Sequence, residues 1–296
     1  MSHHRRIGQF TVSSIGLGAM PLSTGGSTTP SHDEAVAVVH AALDAGITLI
    51  DTADIYAPSW DTMGHNESIV AEALRTWAGD ASNVVVATKG GITRAEGERW
   101  GRDGSPAYIR EAVERSRERL GVDAIDLYYW HRPDRSRLYA EVVETFGQLR
   151  ADGIVKEVGV SNANVEELQV AVDVLGEGGL AAVQNEFSPR FNHTSWRELL
   201  WCGKRGIAFL PWSPLGGTGG GAAALAERFG VLTEVADAHG VSPQQATLAW
   251  QLSLGEHVIP IPGASRPASI VDSARAMDLE LTDDEVERIS AALLQR

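Results

Sequence analysis

Residues 84–91 read VVVATKGG and residues 127–134 read LYYWHRPD, and each stretch runs from a continuous apolar segment into a polar residue. Apolar side chains at successive rather than alternate positions are typical of parallel strands that are covered on both faces. Segments with helical periodicity separate such runs along the chain, as in repeated β/α units. We therefore predict an α/β fold with a parallel sheet whose strands end in polar side chains.

Eight runs of this kind occur in the chain, and eight strands favour closure into a (β/α)8 barrel of the TIM type. Because such a barrel commonly uses about 250 residues as one unit, we predict a single domain over residues 1–296. The predicted strands are 14–17, 48–51, 84–88, 125–130, 155–160, 182–185, 208–211 and 258–260.

Capping side chains three residues before a Glu or Gln mark the predicted helix starts. Proline after serine at the first helical position adds to this signal, because a missing N–H is tolerated there. The capping pairs are Ser31 with Glu34, Asn164 with Glu167, Ser242 with Gln245 and Thr282 with Glu285, and the prolines are Pro106 and Pro243.

The composition excludes several classes of protein. The chain has 25 basic and 39 acidic residues, a net charge of −14, which argues against nucleic acid or an anionic membrane as a partner. Cys202 is the only cysteine, which excludes an intrachain disulfide and favours a reducing cytoplasm. Residues 1–8 lack the apolar segment of a signal peptide. We predict that His3 and His4 lie on a frayed, solvated terminus.

Two stretches after predicted strands have no regular pattern. Residues 93–105 are polar and contain Trp100, and residues 215–222 read LGGTGGGA. Loops that follow the strands form the active-site face of a barrel, so both are candidate lids. The alternative for the glycine run is a flexible surface loop.

Polar residues at strand ends are the candidates for chemistry, because a barrel directs them at one cavity. Asp51 ends the second strand, Tyr56 follows five residues later, Lys89 ends the third strand and His131 ends the fourth. Carbonyl reduction requires a proton at oxygen, and a phenol donates one near neutral pH only if its anion is stabilised. A lysine would stabilise that anion, an aspartate would hold the lysine charged, and a histidine could orient the carbonyl.

Each of these residues also fits a structural role when taken alone. Asp51 could cap a helix, Tyr56 could be an ordinary half-buried tyrosine, and His131 could be a core histidine bonded to backbone. Lys89 fits a structural role less well, because a lysine directly after a buried strand is drawn into a cavity. The four together favour catalysis, because a barrel aims them at one point.

Nearly the whole chain, from GLGAM at residues 16–20 to the helix after Pro267, resembles the aldo-keto reductase superfamily. The most specific part is the ordered set DTADIY, GHNE, ATKGG and WHRPD. The resemblance implies that Asp51, Tyr56, Lys89 and His131 form a catalytic tetrad that reduces an aldehyde or ketone reversibly. It also implies NADPH as cofactor, with NADH possible. No GxGxxG motif follows the first strand, so a Rossmann cofactor site is not supported.

The resemblance assigns the cofactor contacts by position. Trp212 would stack on the nicotinamide, and the segment after it would follow the pyrophosphate, with the adenosine phosphate held near Arg266. Ser269 and Ser273 are shorter than the side chains that many relatives have there. The implied contacts are Gly18, Ala19, Met20, Asp51, Ser161, Asn162, Gln184, Trp212, Ser213, Pro214, Leu215, Gly217, Gly263, Ala264, Ser265, Arg266, Ser269, Asp272 and Ser273.

Other candidates have weaker signals. Trp60, Trp100 and Trp130 lie in or beside loops that follow strands, and we predict that at least one lines a substrate site. His65 in GHNE is predicted to start the second helix rather than bind metal, and no histidine pair has zinc-like spacing.

Two alternative functions keep the same fold. The first is a regulatory subunit that senses NADPH without turnover, as some members of the superfamily are. The second is a Schiff-base lyase that uses Lys89, which the adjacent Asp51 opposes because an imine-forming lysine needs a lowered pKa. The predicted partner is a small carbonyl compound.

Overall fold

The computed structural model describes residues 3–24, 26–193, 195–217 and 221–294. The strands are β1 His4–Ile7, β2 Phe10–Ser13, β3 Leu17–Gly18, β4 Leu49–Asp51, β5 Val85–Gly90, β6 Ile92–Ala95, β7 Arg99–Arg102, β8 Ile125–Trp130, β9 Val155–Ser161, β10 Ala182–Gln184 and β11 Ala208–Phe209. The helices are α1 His32–Asp44, α2 His65–Thr76, α3 Pro106–Leu120, α4 Tyr139–Ala151, α5 Val165–Leu175, α6 Trp196–Gly203, α7 Gly221–Arg228, α8 Gly230–His239, α9 Pro243–Ser253, α10 Pro267–Ala274 and α11 Asp283–Leu294.

Seven parallel strands form one curled sheet in the order β11-β10-β9-β8-β5-β4-β3. The eighth predicted run, 258–260, and the residues directly after it close the sheet: Val258 bridges Phe209 of β11, and Gly263 bridges Gly18 of β3. This run forms isolated bridges rather than a regular strand because Pro260 and the proline at 262 have no N–H to donate. The (β/α)8 barrel prediction is confirmed.

The helix starts follow from the capping residues. Ser31 and Asn164 each form a reciprocal capping box with the glutamate three residues on. Ser242 also caps its helix, but the Gln245 side chain donates to Asp272 rather than back to the cap. No helix within the described residues combines the length and apolar character that a membrane span requires.

The N-terminus is not the frayed segment that its polar sequence predicted. β1 and β2 pair in an antiparallel hairpin, and Ile7 and Val12 are fully buried with the residues that fill the barrel interior. Alternation along β1 buries Arg5 and Ile7 while His4 stays exposed. The turn N–H of Gln9 donates to Glu157 Oε1 at 2.9 Å. Because Glu157 lies near the start of β9, the hairpin covers the N-terminal end of the barrel.

The two candidate lids also differ from prediction. Residues 93–105 are not irregular, because β6 and β7 pair antiparallel around a turn in which Gly97 and Glu98 have positive φ. In the glycine run, helix α7 already begins at Gly221. Residues 218–220 of that run lie outside the described residues.

We predict that Ile7→Ala lowers the free energy of unfolding by about 2–5 kcal/mol, because it removes a fully buried side chain from the barrel interior. Urea denaturation measures the change, and Thr11→Ala on the exposed face of the same hairpin should change it by less than about 0.5 kcal/mol. Equal midpoints for Ile7→Ala and wild type would show that the hairpin is not part of the core.

Candidate active site

The four predicted catalytic residues converge at the carboxyl ends of neighbouring strands. Lys89 Nζ donates to Asp51 Oδ1 at 2.5 Å and to the Thr52 carbonyl at 2.8 Å. The ammonium lies 5.2 Å from the centroid of the Tyr56 ring. The Tyr56 and His131 rings meet edge to face, with centroids 5.7 Å apart. The parallel sheet brings these residues together because β4 pairs with β5 and β5 pairs with β8.

Burial and charge act in opposite directions on the ionisable groups of this cluster. Burial alone would lower the pKa of Lys89, but the Asp51 carboxylate and Tyr56 raise it above its ordinary value. Lys89 is therefore a charged ammonium, although its side chain is fully buried. Burial raises the pKa of Asp51, and the hydrogen bonds from Lys89 and Gln184 oppose that rise.

The pKa of Tyr56 is raised, although Lys89 lowers it as expected. Burial raises the pKa most, while Lys89 lowers it and Asp51 raises it further. The phenol is therefore protonated at neutral pH. Lys89 acts in the expected direction but does not outweigh the loss of solvation.

His131 is a neutral imidazole in this site. Burial lowers its pKa well below the usual value, and the nearby cations Lys89 and Arg132 lower it further. A neutral imidazole carries one N–H and can donate a single hydrogen bond through it. Its Nδ1 is buried and meets no hydrogen-bond partner among the described residues.

Gln184 makes a contact that sequence reasoning missed. Its Nε2 donates to Asp51 Oδ2 at 2.7 Å, so Asp51 is bonded through both oxygens. Gln184 ends β10 and Asp51 ends β4, which are not neighbours in the sheet. The bond therefore crosses the barrel interior. The signal available in the sequence was that both residues are polar and end strands of one barrel.

The predicted nicotinamide contacts border this cluster. Ser161 ends β9, and Asn162 Nδ2 donates to the Ser161 hydroxyl at 2.8 Å and to the His131 carbonyl at 3.1 Å. Asn162 and Ser213 both have a left-handed backbone, with φ of +61° and +51°. Such backbone strain in residues other than glycine is concentrated at binding sites. The Ala19 N–H donates to the Asp51 carbonyl, which places residues 18–20 beside β4.

Close backbone approach explains the glycine at the start of the predicted cofactor path. A Cβ at Gly18 would lie 2.7 Å from the Ile261 carbonyl oxygen, closer than van der Waals contact allows. Trp212 continues from β11, and its backbone bridges Glu186 on the segment after β10. Pro214, Leu215 and Gly217 follow it, and φ of Gly217 is +87°. A cofactor contact at these residues stays a prediction.

The predicted adenine end is only partly assembled. Residues 263–266 lead into α10, where Arg266 is exposed and Nη2 lies 3.4 Å from the Ser269 hydroxyl. Ser273 is buried in that helix. Asp272 does not point toward an adenine site, because its two oxygens accept from Ser242 and Gln245 and tie α10 to α9.

The prediction of a substrate-lining role is wrong for Trp130. Its side chain is buried, and its ring packs against Tyr139 and Phe146 with centroids 4.9 and 6.5 Å away. Successive residues of a strand point to opposite faces, so Tyr129 lies in the barrel interior and Trp130 lies under the helices.

Trp60 lies in the turn after β4 and Trp100 lies in β7, and both side chains are exposed. The Trp60 backbone N–H donates to Glu98 Oε1 at 3.0 Å. The Arg94 guanidinium lies 4.8 Å from the centroid of the Trp100 ring. The turn after β4 and the β6–β7 hairpin therefore contact each other. A substrate-lining role for these two residues stays a prediction.

The sequence of residues 14–294 matches the model of the Aldo/keto reductase family. The chain belongs to this family. It is 35% identical over 273 residues to the 6-dehydroglucose reductase of Novosphingobium aromaticivorans, covering 90% of this chain and 87% of the relative.

Solved structures of the family have the same fold. The glycerol dehydrogenase of Gluconobacter oxydans is 27% identical with a TM-score of 0.82, covering 99% of this chain and 97% of that one. An aldo/keto reductase of Klebsiella pneumoniae in complex with NADP and acetate is 27% identical with a TM-score of 0.81, covering 100% of this chain and 98% of that one.

The GHNE motif of this aldo/keto reductase supports the tetrad through hydrogen bonds to residues next to it. His65 starts α2, as predicted, and the next two residues are fully buried. Asn66 accepts from the Thr52 hydroxyl at 2.6 Å and donates to the Ala19 carbonyl at 2.8 Å. Glu67 accepts from the Thr88 hydroxyl at 2.6 Å. The motif thus fixes the residues that follow Asp51 and precede Lys89.

Asp54, between Asp51 and Tyr56, is a buried carboxyl with no hydrogen-bond partner of good geometry among the described residues. Its pKa is raised well above the usual value by burial and then by the neighbouring Glu67 carboxylate. Arg119 and Arg115 oppose this rise in part. Asp54 is therefore protonated in the folded protein at pH values where an exposed aspartate is ionised.

We predict that Asp54→Asn stabilises the protein increasingly as the pH rises. The folded state holds a proton on Asp54 that the unfolded chain releases above about pH 4, so wild-type stability falls as the pH rises toward the raised pKa. Asparagine is neutral in both states and removes this loss. The gain in Tm should grow from near zero at about pH 4.5 to roughly a few degrees at about pH 8.5.

Thermal unfolding across this pH range tests the prediction, with Asp123→Asn on the exposed turn after α3 as the matched control. The control should show a difference from wild type that does not depend on pH. A pH-independent difference for Asp54→Asn as well would show that Asp54 is ionised in the fold.

Proposed function

We propose that this aldo/keto reductase catalyses the reversible reduction of an aldehyde or ketone to the alcohol, with NADPH as hydride donor. The observation that carries the proposal is the buried Lys89–Asp51 ion pair beside the Tyr56 ring. This arrangement provides a protonated phenol and, next to it, a fixed positive charge. A carbonyl oxygen that gains negative charge needs both.

The roles of the four residues follow from their geometry and charge. Tyr56 gives its phenolic proton to the carbonyl oxygen, and the Lys89 ammonium stabilises the phenolate that remains. Asp51 keeps Lys89 charged and fixed in position. His131, a neutral imidazole, donates a hydrogen bond that orients the carbonyl oxygen. In the reverse oxidation of an alcohol, the Tyr56 phenolate accepts the hydroxyl proton, and the other three residues keep their roles.

The residues along the strand ends fit a nicotinamide cofactor. Trp212 offers a flat apolar ring for stacking, and Ser161, Asn162 and Gln184 offer hydrogen bonds to a carboxamide. NADPH, when bound, supplies the hydride. The NADP complex of the Klebsiella relative supports this cofactor. We propose a preference for NADPH over NADH, because Arg266 and the start of α10 form a positively polarised site for a phosphate.

The alternative functions gain no support. Three similar proteins are named as an oxidoreductase, a reductase and a dehydrogenase. A Schiff-base lyase is opposed because the pKa of Lys89 is raised, whereas imine formation requires a neutral amine. Two relatives are named for a dehydroglucose and for glycerol, which supports a small polar substrate. We also propose a reducing cytoplasm as the location, on the basis of the single cysteine.

We predict that Tyr56→Phe lowers kcat for aldehyde reduction by about 10²–10⁴-fold and leaves the Kd of NADPH unchanged, because only the proton donor is lost. NADPH absorbance and quenching of protein fluorescence measure the two quantities. Tyr139→Phe is the matched control, because its hydroxyl is buried away from the tetrad and meets no partner in the described chain.

Turnover that survives unchanged in Tyr56→Phe would refute this mechanism. Tight NADPH binding by wild type without turnover of any aldehyde would favour the regulatory alternative. Covalent trapping of a substrate on Lys89 by borohydride would favour the lyase.

We predict that Arg266→Gln raises the KM for NADPH about tenfold and leaves the KM for NADH unchanged, because only NADPH carries the extra phosphate. Arg275→Gln, at the other end of α10, removes the same charge and should change neither KM. Equal effects on the two cofactors would place the phosphate elsewhere.

A further inference from the structure

Arg132, the residue after His131, is a half-buried cation without a fixed partner. Its guanidinium lies 5.9 Å from the centroid of the Trp212 ring, and it forms no hydrogen bond or ion pair with any residue that the structure describes. Burial lowers its pKa, and the neighbouring Arg102 lowers it further, while Tyr56 and Glu186 oppose this. A guanidinium is charged at any physiological pH, so its five N–H donors are available.

The groups around Arg132 do not neutralise it. Arg102 of β7 is a second cation, and it donates to the Pro133 carbonyl at 3.0 Å. The Glu186 carboxyl, after β10, acts on Arg132 as an opposite charge, but no ion pair within 4.0 Å joins the two among the described residues. The Glu186 carboxyl is itself half-buried, and burial raises its pKa. A cation removed from water in this way gains most from an anion that arrives with a ligand.

The backbone that carries Arg132 is held on both sides. Asn162 donates to the His131 carbonyl, and Arg102 donates to the Pro133 carbonyl. Asp134, two residues on, accepts from the N–H groups of Gly104 and Ser136 at 3.1 Å. The guanidinium is therefore presented from a fixed loop, which reduces the entropy lost when it binds.

We propose that Arg132 binds an anionic group of the substrate, and that the preferred substrates are carbonyl compounds that also carry a carboxylate. This inference rests on the proposed function, because it places the carbonyl at Tyr56 and His131 and the carboxylate at the adjacent Arg132. The planar guanidinium matches the two oxygens of a carboxylate. The Trp212 ring lies beside the guanidinium, with its centroid 5.9 Å away.

Two competing roles for Arg132 can be separated from substrate binding by experiment. Arg132 could bind a cofactor phosphate, in which case its removal weakens NADPH binding for every substrate. It could instead act only on Tyr56, whose pKa it lowers. In that case its removal slows neutral and anionic substrates equally and shifts the pH profile of kcat.

The test compares 3- and 4-carboxybenzaldehyde, each with the neutral carboxamide of the same shape, at low ionic strength. For at least one ring position, the wild-type kcat/KM for the carboxylate should exceed that for the amide by about tenfold or more. Arg132→Gln should bring this ratio to about one while the value for the amide changes only a few-fold. Arg190→Gln removes the same charge on the exposed loop near Glu186 and should keep the ratio.

Three results would overturn the inference: a wild-type ratio near one at all ring positions, a ratio unchanged by Arg132→Gln, or a rise in the Kd of NADPH with the ratio preserved. Arg132→Lys should retain part of the preference, because it keeps the charge but loses the planar donors. If wild type turns over no aldehyde or ketone of any kind, these amides included, the proposed function itself is wrong. The amide series therefore separates that failure from a failure of the anion site.

Discussion

The buried ion pair between Lys89 and Asp51 is the interaction on which the rest of the site depends. Taking two charges out of water costs several kcal/mol per ion unless their remaining bonds are satisfied. The Thr52 carbonyl satisfies the ammonium, and Gln184 binds the second carboxylate oxygen from across the barrel. The closed sheet is what allows this, because only a barrel brings β10 opposite β4. Closure of the barrel therefore allows Lys89 to stay charged while it is buried.

A layer of polar residues behind the tetrad holds this pair in place. Gly64 precedes α2 with φ of +86°, and a Cβ there would overlap the Arg119 side chain. Arg119 donates a hydrogen bond to Glu67. The same carboxylate accepts one from the hydroxyl of Thr88, the residue before Lys89. This packing leaves Asp54 buried beside Glu67 as a neutral acid. Asp54 lies in the turn that carries Tyr56, and the charges of Arg119 and Arg115 offset part of the cost of burying its carboxyl.

The strand pattern and the strand-end residues made the barrel and the meeting of the tetrad predictable from the sequence. Where the signal depended on distant partners, prediction failed. The buried role of Ile7 depends on a hairpin that forms within a charged segment. Trp130 is a different case, because the alternation of side chains along β8, which turns it toward the helices, is a local pattern. Asp272 bonds α9 because of the packing of two helices. The bond from Gln184 to Asp51 likewise joins strands that are separated in the sheet order.

The charge distribution explains how an acidic chain can bind anions. The net charge is −14, which would repel both a dinucleotide and a carboxylate at long range. At the strand ends, however, Lys89 and Arg132 are cations held in partly or fully desolvated positions. Salt and solvent screen a buried charge less than an exposed one, so cations in such positions act on groups in the cavity more strongly than exposed charges do. Lys89 is neutralised by Asp51, and Arg132 is not. The uncompensated positive charge beside Tyr56 therefore belongs to Arg132, where a substrate anion would complete the pairing.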